Sequence, residues 1–138
     1  MRSDLEKIDT FLQEHHVMSL ATSSEDELSV CSLFYVFVKE MHSFIVASSD
    51  ETTHIQHIKF NSKVAGSIVL ETKIVGKIQG VQFRGKFSEL ENKEIKKLYY
   101  KAFPYALAMN PQLWQIKIDS FKMTDNKLGF GKKILLNF

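Results

Sequence analysis

Apolar and polar positions near the N terminus repeat at the spacing of a helix. The apolar residues of this segment are Leu5, Ile8, Phe11 and Leu12. Residues three and four positions apart share one face of a helix, so the pattern predicts an amphipathic helix that packs on a core. Either Ser3 or Asp4, just before the first apolar residue, is a suitable N-cap.

After His15 the pattern changes to short apolar runs that are rich in β-branched and aromatic residues, as in strands. The predicted strand segments are 17–22, 28–38, 43–47, 64–71, 72–90, 113–123 and a last run within 129–138. Six or seven strands in mostly antiparallel order close most simply into a small barrel, because closure removes the sheet edges. We therefore predict a mainly β, antiparallel barrel with peripheral helices, as one domain over residues 1–138.

Two later segments favour helices. The polar stretch ASSDETTHIQHIKF, residues 47–60, offers Ser49 or Asp50 as an N-cap for a short helix that ends near Asn61. Residues 91–103 predict a second helix, which Pro104 should bend or stop because proline cannot continue the backbone hydrogen bonds.

Composition and charge limit the kinds of partner that the protein can be expected to bind. The 138-residue chain has 44% hydrophobic residues and a net charge of +2. Nucleic-acid binding needs a clustered basic face, so we expect no nucleic-acid partner. A single Cys31, with no apolar run of membrane-spanning length and no signal peptide, predicts a cytoplasmic protein without a membrane partner.

His54 and His57 leave three interpretations open. The i, i+3 spacing differs from the HExxH zinc pattern, and a metal site would need further ligands from elsewhere, so we predict no metal. The polar residues can be the ordinary start of a surface helix. Alternatively, the free N–H groups of a helix start, together with the hydroxyls of Ser49, Thr52 and Thr53, can bind an anion.

Residues 124–133, TDNKLGFGKK, suggest either a hairpin turn or a close approach of backbone to a planar, charged ligand. Lys132 and Lys133 precede a strand and should point to opposite faces, with Lys132 toward a cofactor. We find no catalytic triad, nucleophile elbow or paired carboxylates, so catalytic residues stay unassigned and a cofactor would supply the chemistry.

The run LFYVF, residues 33–37, is apolar on both faces of its predicted strand. A strand of this kind needs cover on both sides, which predicts a homodimer.

Three motifs resemble those of the pyridoxamine 5'-phosphate oxidase-like split-barrel flavoproteins, and in particular a small bacterial branch of them. They are TTH at 52–54, QGVQFRG at 79–85 and TDNKLGFGKK at 124–133, in an element order that also fits. The resemblance extends over almost the whole chain. It implies an antiparallel split β-barrel that binds FMN. It also implies a homodimer with the cofactor at the interface between the two copies.

The resemblance also implies a cofactor site. The residues concerned are Ser48, Ser49, Thr52, Thr53 and His54 at the phosphate, Ser32 and Phe34 beside the ring system, and Lys132. In the family a basic pair at the helix start grips the phosphate; here Thr53 replaces one of these cations. On this interpretation His57 is structural.

The chain has Gly129 to Lys133 where true oxidases carry a substrate-binding Arg and His, so pyridoxamine phosphate is not the expected substrate. The resemblance implies an FMN-dependent oxidoreductase that acts on a small molecule by flavin hydride transfer. Two alternatives stay open at this point: a haem-binding split-barrel protein with a histidine as axial ligand, and a non-enzymatic flavin-binding or sensing dimer.

Overall fold

The fold is given by a computed structural model that describes residues 2–138. Its helices are α1 (Asp4–Glu14), α2 (Thr53–Ile58), α3 (Lys93–Ala102) and α4 (Pro104–Met109). Its strands are β1 (Val17–Ser24), β2 (Glu27–Val38), β3 (Ser43–Ala47), β4 (Lys63–Val69), β5 (Gln79–Glu89), β6 (Leu113–Asp125) and β7 (Lys133–Asn137).

The strands form one antiparallel sheet that closes on itself. Their order is β3-β2-β1-β4-β5-β6-β7, and β3 also pairs with the first half of β6. This extra pairing closes six strands into a barrel, while β7 lies along the second half of β6. The predicted antiparallel barrel with peripheral helices is confirmed.

Alternation along β2 places one set of side chains in the barrel and the other outside. Leu33, Tyr35 and Phe37 are buried, whereas Phe34 between them is exposed. Inside, the fully buried Phe44 of β3 has its ring centroid 5.1 Å from those of Tyr35 and Phe37. Aromatic rings at such distances pack well and bury large apolar areas, so this group forms the centre of the core.

Helix α1 covers one side of the barrel as the sequence predicts. Ile8, Phe11 and Leu12 are buried, and Ser3 is the N-cap. The Ser3 hydroxyl accepts a hydrogen bond from the Glu6 N–H, and the Glu6 carboxylate accepts one from the Ser3 N–H, which satisfies two amides that the helix leaves free.

The start of α2 differs from its prediction. The helix begins at Thr53 with Thr52 as N-cap, so Ser49 and Asp50 are not caps. Instead, the Thr52 N–H donates to the Ser49 carbonyl (3.2 Å), because residues 49–52 form a turn before the helix. A series of polar residues that each suit a cap or a turn does not determine the first helical residue.

Two other segments also differ. Of the predicted strand segment 72–90, only Gln79–Glu89 is a strand, and a short 3-10 turn occupies Val75–Lys77. Pro104 stops α3 as predicted, but it also starts α4 as the first helical residue, where its missing N–H costs nothing.

Within residues 2–138 no helix is both long enough and apolar enough to cross a bilayer.

Candidate functional site

A small polar cluster lies where β3 ends and α2 begins, and Ser48, Thr52 and His54 define it. The His54 ring is buried, with its Nε2 in hydrogen-bonding contact with the Ser48 hydroxyl and 3.4 Å from Thr52 Oγ1. Ser48 and Thr52 are half-buried. Two hydroxyls and an imidazole therefore converge on one point at the protein surface.

Contacts with β6 and with the residue before it fix the position of this cluster. The Ser48 N–H donates to the Gln112 carbonyl at 3.1 Å, and the Trp114 indole N–H donates to the Ser48 carbonyl at 2.9 Å. Thr52 is held from its own side, since its hydroxyl donates to the Ser49 carbonyl at 2.8 Å. The backbone around the cluster is thus anchored on both sides, which favours a preorganised binding site over a mobile loop.

Ser49 and Thr53 lie at the same junction, and both are exposed. The structure therefore brings together the five residues predicted for a phosphate site: Ser48, Ser49, Thr52, Thr53 and His54. His54 and Thr53 open α2, which is a single short helix of 6 residues, so the side chains matter more here than the helix itself.

An apolar cleft of about 540 Å³ opens next to this cluster. One wall comes from the outside of the barrel, with Ser32 and Phe34 of β2 and Ala47 of β3, the residue before Ser48. The other wall comes from α3, α4 and the residues that follow, with Tyr99, Phe103, Tyr105, Met109 and Pro111. We call this the aromatic cleft; its volume is within the usual range for small-molecule sites.

Ser32 and Phe34, the residues predicted to lie beside the cofactor ring, thus line the cleft. The Phe34 ring touches the helical wall, with its centroid 5.4 Å from that of Phe103. The helical wall was not predicted from the sequence. Its signal was the aromatic run LYYKAFPY, residues 98–105, around the helix break.

Lys132 is not part of this assembly within one chain. It is exposed in the turn before β7, and Lys133 pairs with Thr124 near the end of β6. Ala47 pairs with Leu113 at the opposite end of that strand. A role of Lys132 at the cofactor would therefore require a second copy of the chain.

His57 contacts a different group of residues. It is buried, its Nδ1 lies 3.0 Å from Thr22 Oγ1, and its Nε2 lies 3.7 Å from a carboxylate oxygen of Glu27. This contact with Thr22 connects α2 to β1, which agrees with the structural role predicted for His57. Across residues 2–138, no three His, Cys, Asp or Glu side chains are grouped so as to hold a metal ion.

A larger groove of about 650 Å³ crosses the outside of β1, β4, β5 and β6. Small and polar side chains line most of it, including Ser19, Ser67, Gln82 and Ser120. It contains none of the residues predicted for the cofactor. The smaller aromatic cleft, which Ser32 and Phe34 line and which extends to Ala47 just before Ser48, is the better candidate site.

Burial lowers the pKa of His54, and the nearby His57 lowers it further. At neutral pH the His54 ring is therefore uncharged, and the Ser48 cluster offers neutral hydrogen-bonding groups only. An anion bound there would be held by hydrogen bonds from hydroxyls and an imidazole.

The lowered pKa predicts how stability changes with pH. The unfolded chain takes up a proton at His54 near pH 6.5, about its ordinary pKa, whereas the folded chain does so only at lower pH. The contribution of His54 is thus complete above about pH 6.5 and is lost as the pH falls toward the folded-state value. In urea unfolding at a series of pH values, the free energy of unfolding should fall less steeply with decreasing pH for His54→Gln than for the wild type. Equal slopes would contradict this assignment.

Comparison with known proteins agrees with the fold. Residues 5–123 match the family model described as pyridoxamine 5'-phosphate oxidase. A UPF0306 protein of Enterobacter sp. (strain 638) is 39% identical over 133 residues, which cover 94% of each chain.

Solved structures share the fold at much lower sequence identity. A heme binding protein from Mycobacterium smegmatis gives a TM-score of 0.80 at 15% identity, over 99% of this chain and 59% of that protein. A FAD-binding protein from Mesorhizobium loti gives a TM-score of 0.70 at 17% identity, over 88% of this chain and 94% of that protein. Proteins with this fold thus include binders of haem and of flavin. The family match over most of the chain and the 39% identity show that this chain belongs to the pyridoxamine 5'-phosphate oxidase-like split-barrel family, with bacterial UPF0306 proteins as its relatives.

Proposed function

We propose that this chain binds FMN and is an oxidoreductase that acts on a small molecule. The observation that carries the proposal is that the aromatic cleft is lined by Ala47, the residue directly before Ser48 of the polar cluster. FMN has the same two parts, an apolar ring system and a phosphate joined by a short chain. The apolar cleft and the polar cluster lie at neighbouring residues, as a ligand with these two parts requires.

In this proposal the phosphate is bound by the hydroxyls of Ser48, Ser49, Thr52 and Thr53, with His54 behind them. Hydrogen bonds to a charged group are stronger than neutral ones, so several hydroxyls compensate in part for the missing cation at Thr53. The uncharged state of His54 means that the phosphate would not be neutralised locally at pH 7. We therefore expect weaker FMN binding than a cationic pair would give.

The ring system would lie against Ser32 and Phe34 on the outside of β2. The Phe34 ring can pack on one face of the ring system, and the apolar walls of the cleft exclude water from it. When bound, a flavin supplies hydride transfer. The side chains of the cleft would bind and orient the two reactants.

Haem is the second candidate, since a structural neighbour from M. smegmatis is a heme binding protein. Haem iron needs an axial ligand, often a histidine. Both imidazoles of α2 already have hydrogen-bond partners: His54 contacts Ser48, and His57 contacts Thr22. Either ring would have to leave a buried hydrogen bond to reach iron, so the geometry favours a flavin.

Absorbance spectra test the proposal. The purified protein is titrated separately with FMN and with haemin, and bound ligand is separated by gel filtration. We expect flavin bands that co-elute with the protein. A Soret band after haemin, with no retained flavin, would favour the haem alternative, and a protein that retains neither would favour a non-enzymatic dimer.

The proposal includes a homodimer. The outward residues Leu28, Val30 and Phe34 of β2 are 85%, 72% and 57% exposed, which is a large apolar area for the outside of one strand. A second copy that covers this face would also complete the proposed site, because only another chain could bring Lys132 to the cleft. Sedimentation equilibrium should give twice the mass of 15.9 kDa, and Val30→Glu should shift the protein toward the monomer. A monomeric wild type at micromolar concentration would refute the dimer.

A further inference from the structure

The helical wall of the aromatic cleft has more apolar surface than a soluble protein normally leaves uncovered. Tyr105 is 92% exposed and Met109 is 81% exposed, and both line the cleft beside Phe103 and Pro111. None of the twelve residues that line the cleft carries a charge. An ionic ligand would lose its hydration here without gaining a partner, so this wall favours an uncharged molecule.

Tyr99 adds one polar group to this wall. Its side chain is only 4% exposed, and its hydroxyl makes no hydrogen bond to any other residue within 2–138. The comparable buried hydroxyl of Tyr35 is satisfied, since it donates to the Leu12 carbonyl at 2.7 Å. No fully enclosed side-chain oxygen of residues 2–138 lacks a partner, so the Tyr99 oxygen retains some exposed surface, and the cleft is the opening that this residue lines.

The chemistry of Tyr99 makes it a hydrogen-bond donor. Burial raises the pKa of its hydroxyl, and the neighbouring Tyr100 raises it further, so the group keeps its proton at physiological pH. A protonated phenol that has no partner in the protein can donate to a ligand oxygen. The remaining surface is aromatic, with the Phe103 ring 5.0 Å from that of Tyr99, and such rings pack best on another planar ring.

We propose that this helical wall is the substrate subsite and takes an uncharged aromatic carbonyl compound of the quinone class. Its ring packs on Phe103 and its carbonyl oxygen accepts a hydrogen bond from the Tyr99 hydroxyl. The assignment of this ligand as a substrate rests on the proposed function, whereas the binding itself depends only on the wall described above. A phosphorylated substrate is excluded from this subsite by the same argument, because the lining provides no cation.

Equilibrium dialysis of the purified protein with menadione, an uncharged quinone, tests the proposal without any measurement of activity. Methylnaphthalene serves as the matched ligand without carbonyl oxygens, and a naphthoquinone sulfonate as the charged one. We expect the wild type to bind menadione most tightly and the sulfonate least. The loss of one neutral hydrogen bond in Tyr99→Phe should weaken menadione binding by about three- to tenfold and leave methylnaphthalene binding unchanged.

Tyr100→Phe is the matched variant, since Tyr100 is the next residue of α3 and is outside the lining of the cleft. It should bind all three ligands like the wild type. Equal losses for menadione and methylnaphthalene in Tyr99→Phe would overturn the hydrogen-bond assignment, and tighter binding of the sulfonate would overturn the choice of an uncharged ligand.

A parallel titration with FMN separates this inference from the proposed function. Tyr99→Phe should keep the FMN affinity of the wild type, because the phosphate cluster is formed by other residues. A wild type that binds FMN but not menadione would refute the subsite and leave the flavin proposal intact. Binding of menadione without FMN would refute the flavin proposal and support the binding properties of the wall.

Discussion

Phe44→Ala should destabilise the protein by about 3–5 kcal/mol, the usual cost of removing a buried phenylalanine ring. Phe44 is 0% exposed and lies among the rings of Tyr35, Phe37, Phe83 and Phe121. Alanine would leave a cavity in the centre of the barrel, and the surrounding rings belong to several strands that cannot all move inward. A loss of this size is a large part of the stability of a typical small domain, about 5–15 kcal/mol.

The chain provides a matched control in Phe60, which is 85% exposed after α2. Phe60→Ala makes the same chemical change without a cavity and should alter the free energy of unfolding by less than about 0.5 kcal/mol. Urea unfolding followed by circular dichroism measures both. Similar losses in the two variants would contradict the description of the core.

Thr52→Val should weaken FMN binding by about tenfold to a hundredfold. Valine keeps the shape of threonine but lacks the hydroxyl, and a hydrogen bond to a charged phosphate contributes about 1.5–3 kcal/mol. The hydroxyl of Thr52 lies 3.4 Å from His54 Nε2, within the cluster that would hold the phosphate. To donate to the phosphate, this hydroxyl would turn from the Ser49 carbonyl, to which it donates in the structure. Isothermal titration calorimetry with FMN gives the two dissociation constants.

Two controls locate this effect. Riboflavin has the same ring without the phosphate, so Thr52→Val should bind it like the wild type. His57→Ala should leave FMN affinity nearly unchanged, provided that the variant is folded, because His57 contacts Thr22 and Glu27 instead. Equal losses for FMN and riboflavin in Thr52→Val would show that the residue does not act through the phosphate.

The sequence was sufficient for features that depend on neighbours along the chain. The spacing of Ile8, Phe11 and Leu12 predicted α1, and the apolar, β-branched run at residues 28–38 predicted the strand β2. The start of α2 was predicted wrongly because several adjacent polar residues suit a cap equally well. The position of Thr52 was decided by the turn through the Ser49 carbonyl, which is a property of the folded backbone.

The cleft could not be predicted from the sequence, because it is formed by contacts between distant parts of the chain. Nothing in the local pattern shows that Trp114 donates to the Ser48 carbonyl or that Phe103 packs near Phe34. The helical period places Tyr99 on the apolar face of α3, but it does not show that the hydroxyl of this residue lacks a partner. Those facts follow from the β3–β6 pairing and from the second helix that Pro104 begins.

Mapping of amide chemical shifts during an FMN titration tests the central claim most directly, since it locates the ligand on the folded chain. We predict that the largest changes occur at Ser32, Phe34 and residues 48–54, with smaller changes along α3. FMN binding with its largest changes in the groove around Ser19, Ser67 and Gln82, and none at residues 48–54, would contradict the account.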